Sequence, residues 1–408
     1  MKYDAIIIGG GAAGLMAAIT ASGLGKKVLL FEKNDRLGKK LLITGKGRCN
    51  VTNNCSVDEL IKNIPSNPRF LYSAFSQFSS EDTMNFFENT GVPLKTERGN
   101  RVFPQSDKSS DIVNSLIKTA KDYGVEILNK KVSSLIIKDN TILGIETSGE
   151  KYYSDSVLIA TGGKSYHLTG STGDGYIFAE KAGHKIIPLK PSLVPIVTKE
   201  KYPTEMMGLS LKNVNLSVVD KTTGKKIYSE MGEMLFTHFG VSGPIVLSAS
   251  SRIRTEEAER YIFYIDMKPA LSEEKLDLRL QKDFSENINK DYTNSLNKLL
   301  PAKMIPVFVK LSGIPMDTKV NQITREQRRN IVKLMKNMPF IMKSFRPIDE
   351  AIITSGGVDT NEINPKTMES KLVKGLYFAG EVIDVDAYTG GFNLQIAFST
   401  GYVAGINM

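Results

Sequence analysis

The chain has 408 residues, with two cysteines, three histidines and no tryptophan. Two cysteines exclude an iron–sulfur cluster, a four-cysteine zinc site and a disulfide scaffold. His167, His184 and His238 are too scattered for a metal site by local spacing, so no metal is expected. Lys and Arg number 53 against 44 Asp and Glu, a net charge of +9. No run of five or six basic residues accompanies it, which reads as a solvated lysine-rich surface, with no nucleic-acid partner expected. A hydrophobic fraction of 41% supports real cores, and the length predicts two or three domains. No signal-peptide pattern or run of about 18 apolar residues occurs, so a cytoplasmic protein without a membrane partner is expected. Redox chemistry in such a chain needs a borrowed organic cofactor.

Ala5-Ile6-Ile7-Ile8 reads as a buried parallel strand, and residues 12–22 read as a helix stopped by Gly23 and Gly25. Between them stands Gly9-Gly10-Gly11-Ala12-Ala13-Gly14. Val28–Phe31 is a second strand, ending at Glu32. This is strand, GxGxxG, helix, strand, acid in the order a dinucleotide-binding unit requires. Gly9 permits the tight turn, Gly11 lets the backbone approach a pyrophosphate, and Gly14 lets the helix pack close to the sheet. Ala12 and Ala13 open the helix whose free N–H groups face the phosphates. Glu32 is placed to accept from ribose hydroxyls and repels a 2′-phosphate, which leaves FAD or NAD.

Residues 33–54 form a basic, glycine-punctuated stretch rich in Asn and Thr, suited to wrapping an anionic ligand. Lys33, Lys39, Thr44, Gly45, Gly47, Arg48, Cys49 and Asn50 are its candidate cofactor contacts. Cys49 and Cys55 are not spaced as a flavin disulfide pair, and Cys49 reads as a small buried apolar group. The string Ile43-Thr44-Gly45-Lys46-Gly47-Arg48-Cys49-Asn50-Val51-Thr52-Asn53 closely resembles the signature of the BaiN/YhiN-like flavoproteins. The resemblance extends to Thr237–Pro244, Gly375–Glu381 and Tyr388–Gln395, and so spans nearly the whole chain. It implies an FAD-dependent oxidoreductase of the kind described as bile-acid enone reductases or aminoacetone oxidases. It also implies adenine-side backbone contact at Val132.

Further along, a helix is expected from Asp111 to Tyr123, stopped by Gly124. Strands are expected over 125–128, 132–137, 141–146 and 151–159. The last runs into Ala160-Thr161-Gly162-Gly163, an element that passes beside the dinucleotide in glutathione-reductase-type flavoproteins. Asp174 is expected to cap the following helix. From about Pro188 the texture becomes β-rich, then helical over 271–336, without a second GxGxxG unit. Leu376–Phe378, with Gly380 and Glu381, forms a returning strand. Gly391, Phe392, Asn393 and Leu394 open a final helix aimed at the flavin. That return to the N-terminal nucleotide site decides for FAD over NAD.

The expected fold is α/β: a Rossmann-like FAD-binding domain of glutathione-reductase type, interrupted by a β-rich plus helical insert. Its expected boundaries are 1–188 with 345–408 for the FAD domain, 189–268 with 337–344 for the β-rich insert, and 269–336 for a helical insert. Hydride transfer at the flavin then needs few side chains. His238, Tyr388 and Arg101 are the catalytic candidates. The expected reaction is NAD(P)H-linked reduction of a C=C bond in a small or steroid-like molecule, with NAD(P)H as transient donor. An O₂-dependent amine oxidase and a flavin-containing RNA-binding or RNA-modifying protein are the alternatives.

Overall fold

A computed structural model describes residues 2–253 and 257–408. The chain divides into two compact units, one of residues 1–192 and 348–408 and the other Leu193–Pro347. Each has its own hydrophobic core.

The first unit is built on a five-stranded parallel sheet. Its spatial order is Leu376–Phe378, Val157–Ile159, Ala5–Ile8, Val28–Phe31 and Glu126–Leu128. Every residue of Ala5–Ile8 and Val28–Phe31 is buried: the helix Ala12–Gly23 packs on both strands, and Phe31 meets Tyr152 of a flanking sheet edge-on. That is why these strands read as unbroken apolar runs. The first and last helices, Ala12–Gly23 and Phe392–Asn407, pack against each other through small residues. A Cβ on Gly401 would stand 2.4 Å from the Ala13 carbonyl oxygen, and one on Gly405 2.7 Å from that of Ala17. The close approach locks the C-terminal segment onto the N-terminal nucleotide turn.

Besides the antiparallel pair Ile186–Ser192 and Ile353–Val358, two further, larger sheets belong to this unit. One joins Lys2–Tyr3, Lys151–Ser154, Thr141–Thr147 and Val132–Lys138. The single strand expected over 151–159 is therefore two. Lys151–Ser154 pairs antiparallel with Thr141–Thr147, and Val157–Ile159 pairs parallel with Ala5–Ile8. The Ser154 hydroxyl, bonded to the Asp4 and Ser156 carbonyls, holds the corner. The other sheet is small: Thr52–Asn53, Arg101–Pro104 and Leu94–Glu97. Residues 33–54 are more regular than a plain loop, containing the helix Lys39–Ile43. Asp174 is the first residue of its helix, with Gly173 in the left-handed conformation at the cap position. The expected carboxylate cap is thus replaced by an ion pair from Asp174 to Lys33 at 2.7 Å.

The second unit is a closed six-stranded antiparallel barrel of Ile196–Thr198, Gly240–Ser242, Lys226–Phe236, Ser210–Asp220, Tyr261–Asp266 and Met338–Phe345. Closure removes exposed strand edges. Helices between its last two strands include Glu273–Ser285, Ile305–Ser312 and Arg325–Lys336. Their buried Leu280, Phe308 and Met335 share one core with Phe263 and Phe340 of the barrel. The helical segment expected as a domain of its own is therefore part of the barrel unit.

Candidate functional site

The site begins at the carboxyl end of the central strand. Gly9, at φ +108°, turns the chain under the Ala160 carbonyl, 2.5 Å from where a Cβ would lie. A Cβ on Gly14 would stand 1.9 Å from the Gly9 carbonyl oxygen, so helix and strand meet as only glycine allows. Gly11 differs, since nothing lies within 4 Å of where its Cβ would be. That open space faces the start of the helix Ala12–Gly23, where unpaired N–H groups favour a phosphate. Glu32, buried at the end of the second strand, accepts from Gly10 N–H at 2.9 Å and from the Asn34 backbone and side chain at 2.8 Å.

Two of the buried polar atoms that lack a hydrogen-bond partner among the described residues are Asn50 Oδ1, in the turn at Gly45, and Thr161 Oγ1, whose backbone adjoins Gly9 while its hydroxyl lies against Gly175. Both were sequence candidates. Buried polar groups are paired as a rule, so unpaired atoms at two sequence candidates leave polar capacity that a ligand can satisfy. These residues fit a dinucleotide cofactor such as FAD. Ala160 continues the parallel ladder through its N–H to the Ile8 carbonyl, which sets Thr161 and Gly162 at the strand end. Val132 is buried at the start of its strand, in the four-stranded flanking sheet.

The basic side chains of residues 33–54 behave differently from the expectation that they handle a pyrophosphate. Lys33 pairs with Asp174, Lys39 with Asp35 at 2.6 Å, and Arg48 with Glu97 and Asp107 at 2.5 Å each. Arg48 also lies over the Phe103 ring. Thr44 turns its hydroxyl to the Leu41 carbonyl. The left-handed Gly45 and Gly47 shape a tight turn that leaves Cys49 fully buried. Burial pushes the Cys49 thiol up to about 12 and that of Cys55 up to about 11, and both are free thiols. Thiols so far from ionising suit the apolar reading, not redox exchange.

The C-terminal return closes the same region. Gly380 N–H donates to Thr400 Oγ1 at 2.9 Å, with Ala13 alongside. The Glu381 carboxylate is engaged by Lys40 at 2.6 Å, Ser165 at 3.1 Å and Thr354 N–H at 2.8 Å. Gly391, at φ +101°, lies so close to the Thr52 carbonyl that a Cβ would be 2.3 Å from it. Phe392, Asn393 and Leu394 form the first turn of the last helix. The Asn393 amide clamps the preceding loop, accepting from Ala387 N–H at 2.9 Å and donating to the Ala387 carbonyl at 2.8 Å.

Of the catalytic candidates, the structure brings two into one neighbourhood. Asn53 pairs in register with Arg101, while its amide donates to the Gly390 and Gly99 carbonyls at 3.0 Å each. Tyr388, buried, lies two residues before Gly390, and its N–H donates to the Asn63 carbonyl. Arg101 is exposed and donates to the Arg98 carbonyl. His238 belongs to the barrel unit, exposed at a turn with its ring beside Phe239. His184, left out of the site by sequence, is indeed a structural group. It is buried, with Glu362 at 3.2 Å and Ser370 at 2.8 Å.

Sequence reasoning missed Lys40, Asn53, Gln395 and Asp386. Lys39 was chosen where its neighbour Lys40 is the one tied to Glu381. Gln395, fully buried, accepts from Thr83 at 2.9 Å and Thr52 at 2.5 Å and donates to the Phe78 carbonyl. Asp386 is held by the Ser192 and Ser355 hydroxyls, and burial raises its carboxyl above the ordinary range. Asn53 and Gln395 stand inside the two motif strings, so their signal was visible. Asp386 had none.

The parallel sheet, glycine cradle and returning helix define the class: an FAD-dependent oxidoreductase with a Rossmann-type domain and an insert. The chain belongs to the family described as HI0933-like protein Rossmann domain, whose model matches residues 3–407. It is 31% identical to a 3-dehydro-bile acid delta(4,6)-reductase of Clostridium scindens, covering 98% of this chain and 97% of the relative. It is equally 31% identical to a ribosomal RNA dihydrouridine synthase of Haemophilus influenzae, covering 99% and 98%. An Escherichia coli protein of the latter name is 30% identical, covering 98% and 96%. Among solved structures, it is similar in fold to a flavocytochrome c3 fumarate reductase. The TM-score is 0.54 at 18% identity, covering all of this chain and 78% of the other. A 3-ketosteroid-delta4-(5alpha)-dehydrogenase from Rhodococcus jostii RHA1 gives 0.54 at 13% identity, covering all of this chain and 96% of the other.

Proposed function

We propose that the protein binds FAD in the Gly9–Gly14 cradle and reduces a C=C bond conjugated to a carbonyl, with NAD(P)H as the electron source. The observation that carries the cofactor reading is the open space at Gly11, at the start of the helix Ala12–Gly23, with the buried Glu32 carboxylate bonded to the adjoining Gly10 N–H. When bound, FAD supplies hydride chemistry at its isoalloxazine ring. In this reading Gly11, Ala12 and Ala13 hold the pyrophosphate with backbone N–H groups, and Glu32 takes the ribose hydroxyls. Asn50 and Thr161 satisfy polar atoms of the cofactor. Tyr388 holds the proton delivered to the substrate α-carbon, and Arg101 orients the substrate carbonyl.

The relatives' names support the reaction class. A bile-acid Δ4,6-reductase saturates double bonds conjugated to a ketone, and dihydrouridine is uridine saturated at a double bond conjugated to its C4 carbonyl. Both products gain one hydride and one proton across an activated C=C bond. The second substrate reading, a uridine in RNA, draws on the two relatives of that name and on the charge distribution described below.

Anaerobic stopped-flow on FAD-loaded protein tests the proposal. NADH or NADPH should bleach the flavin, and a 3-keto-Δ4 steroid or uridine-containing RNA should restore its colour. Bleaching by amines alone, with peroxide formed on aeration, would overturn it in favour of an amine oxidase. Gly11→Ala separates cofactor from fold: the new methyl has room in the protein but fills the pyrophosphate space. It should abolish FAD retention and leave the apoprotein melting temperature unchanged.

A further inference from the structure

The +9 charge is not evenly spread over the two units. Residues 193–347 hold 25 Lys and Arg against 17 Asp and Glu, a net of +8. The FAD unit holds 28 against 27, a net of +1. In the FAD unit the basic side chains Lys33, Lys39, Lys40 and Arg48 are consumed in ion pairs. The barrel unit keeps several that are not.

Three of them share one face of a single helix, and others, such as Lys221, Lys225 and Lys226, lie elsewhere in the unit. Arg325–Lys336 is fixed at its start by a capping box between Thr324 and Gln327, and its Ile331, Val332 and Met335 are buried. Its flanks are tied down, Arg328 to Asp277 at 2.7 Å and Lys336 to Asp266 at 2.6 Å. Along the exposed side run Arg325, Arg329 and Lys333, without an ion pair among the described residues. Four-residue spacing sets them about 6 Å apart on one stripe. The helix Glu273–Ser285 packs against this one and adds exposed Lys275 and Lys282. Acids on the same two helices include Glu326, Glu273 and Glu274 in first turns, where the helix dipole favours them, the half-buried Asp277 held by Arg328, and exposed Glu286, which lies near Lys282 at the end of the second helix.

This stripe is locally unfavourable twice over. Like charges at i and i+4 repel, and here two such pairs follow in succession. Arg325 also sits in the first helical turn, where the dipole disfavours a cation. Lys333, in the last turn, is favoured by the dipole and Arg329 is attracted to Asp277, so the cost falls on Arg325 and on the repeated like-charge spacing, and a polyanion laid along the stripe relieves both.

We infer that the stripe Arg325, Arg329 and Lys333, flanked by Lys275 and Lys282, is a docking surface for the phosphate backbone of RNA. The choice of RNA rests on the uridine reading of the proposed function. It reverses the expectation of no nucleic-acid partner, which followed from the lack of a basic run in the linear sequence. A four-residue helical period hides such a stripe from that test. The helix Arg325–Lys336 has no aromatic residue for base stacking. The surface therefore contacts phosphates without reading sequence, and positions a folded RNA.

The test uses FAD-loaded full-length protein and a fluorescently labelled, uridine-containing RNA hairpin, with binding read by anisotropy across a salt series. Wild type should bind with a steep salt dependence. The triple variant R325E/R329E/K333E should weaken binding on the order of a hundredfold at low salt and flatten the log–log salt slope by about 2–3. The charge-conserving R325K/R329K/K333R should bind like wild type. A matched reversal in the FAD unit, K118E/K121E/K138E, should change affinity less than about twofold. Unchanged affinity in the R325E triple, with FAD content and circular dichroism intact, overturns the inference. So does tighter binding to phosphatidylglycerol vesicles than to RNA. The two proposals fail separately. RNA binding lost in the triple while no enone or uridine reoxidises the flavin refutes only the reaction. Enone reduction intact while RNA affinity ignores the triple refutes only the docking surface.

Discussion

The two units handle charge in opposite ways. Around the cofactor cradle, Lys33, Lys39, Lys40 and Arg48 each meet a carboxylate within 2.7 Å, and the unit as a whole is nearly neutral. What the cradle offers an anion there is a helix start with free backbone N–H groups, beside glycines that tolerate sub-3 Å approaches. In the barrel unit, cations on the helix Arg325–Lys336 are left exposed on a rigid support. A buried, invariantly shaped cofactor is held by fixed dipoles that need no counter-charge. A large, mobile polyanion is better met by exposed side chains that exchange counterions for phosphates. Basic residues close to a nucleotide motif are therefore a poor guide to phosphate contact.

Separate cores make the comparison testable. The largest expected effect is in the barrel. Phe263 is fully buried and stacked on Phe340 at a ring distance of 4.9 Å. Phe263→Ala should cost about 3–5 kcal/mol. In calorimetry it should lower one transition and leave the FAD-stabilised one in place; a shared shift would show that the units unfold as one. Next is Gly14→Ala, whose methyl would collide with the Gly9 carbonyl oxygen. Overpacking of this kind costs about 1–3 kcal/mol. The variant should release FAD and lower only the FAD unit's transition, as measured by flavin absorbance after gel filtration. Glu32→Ala follows. It removes the acceptor for Gly10 and Asn34 N–H groups, worth about 1–3 kcal/mol, and should weaken FAD binding about 10- to 100-fold by titration calorimetry. An unchanged affinity would remove Glu32 from the site.

Much of the FAD unit was legible because its chemistry is local. The strand–glycine–helix–strand–acid run is contiguous, and Gly9, Gly11 and Gly14 occupy the positions their spacing implies. What was missed depends on contacts far apart in sequence. Lys40 and Glu381 are 341 residues apart, and Ser192 and Asp386 194. Nothing in residues 33–54 tells which of two adjacent lysines turns inward. Gly401 and Gly405 looked like ordinary helix residues, yet their spacing matches Ala13 and Ala17 on the helix they cross. The corner at Ser154 was hidden because two strands of different sheets abut almost without a gap. The barrel was read only as β-rich: antiparallel pairing closes it through partners as distant as Ile196 and Phe345.

The smallest predicted effect concerns pH and again separates the units. The His184 side chain is fully buried in the FAD unit, edge-on to Phe378. Burial pulls its imidazole pKa below the ordinary value, with Glu362 opposing. A base whose folded pKa is depressed favours its neutral form when folded, while the unfolded chain takes up the proton near pH 6.5. Stability is therefore present above about pH 6.5 and lost as pH falls below it, by at most about 1.4 kcal/mol per pH unit. His184→Gln, which keeps a polar contact to Ser370, should flatten this acid dependence in the FAD unit's transition between about pH 7 and 5.5. The barrel's transition should not respond to the substitution. If wild type and variant lose stability in parallel, the acid sensitivity comes from other groups. The raised carboxyl of Asp386 works with the opposite sign: its protonation in the fold favours stability as pH falls.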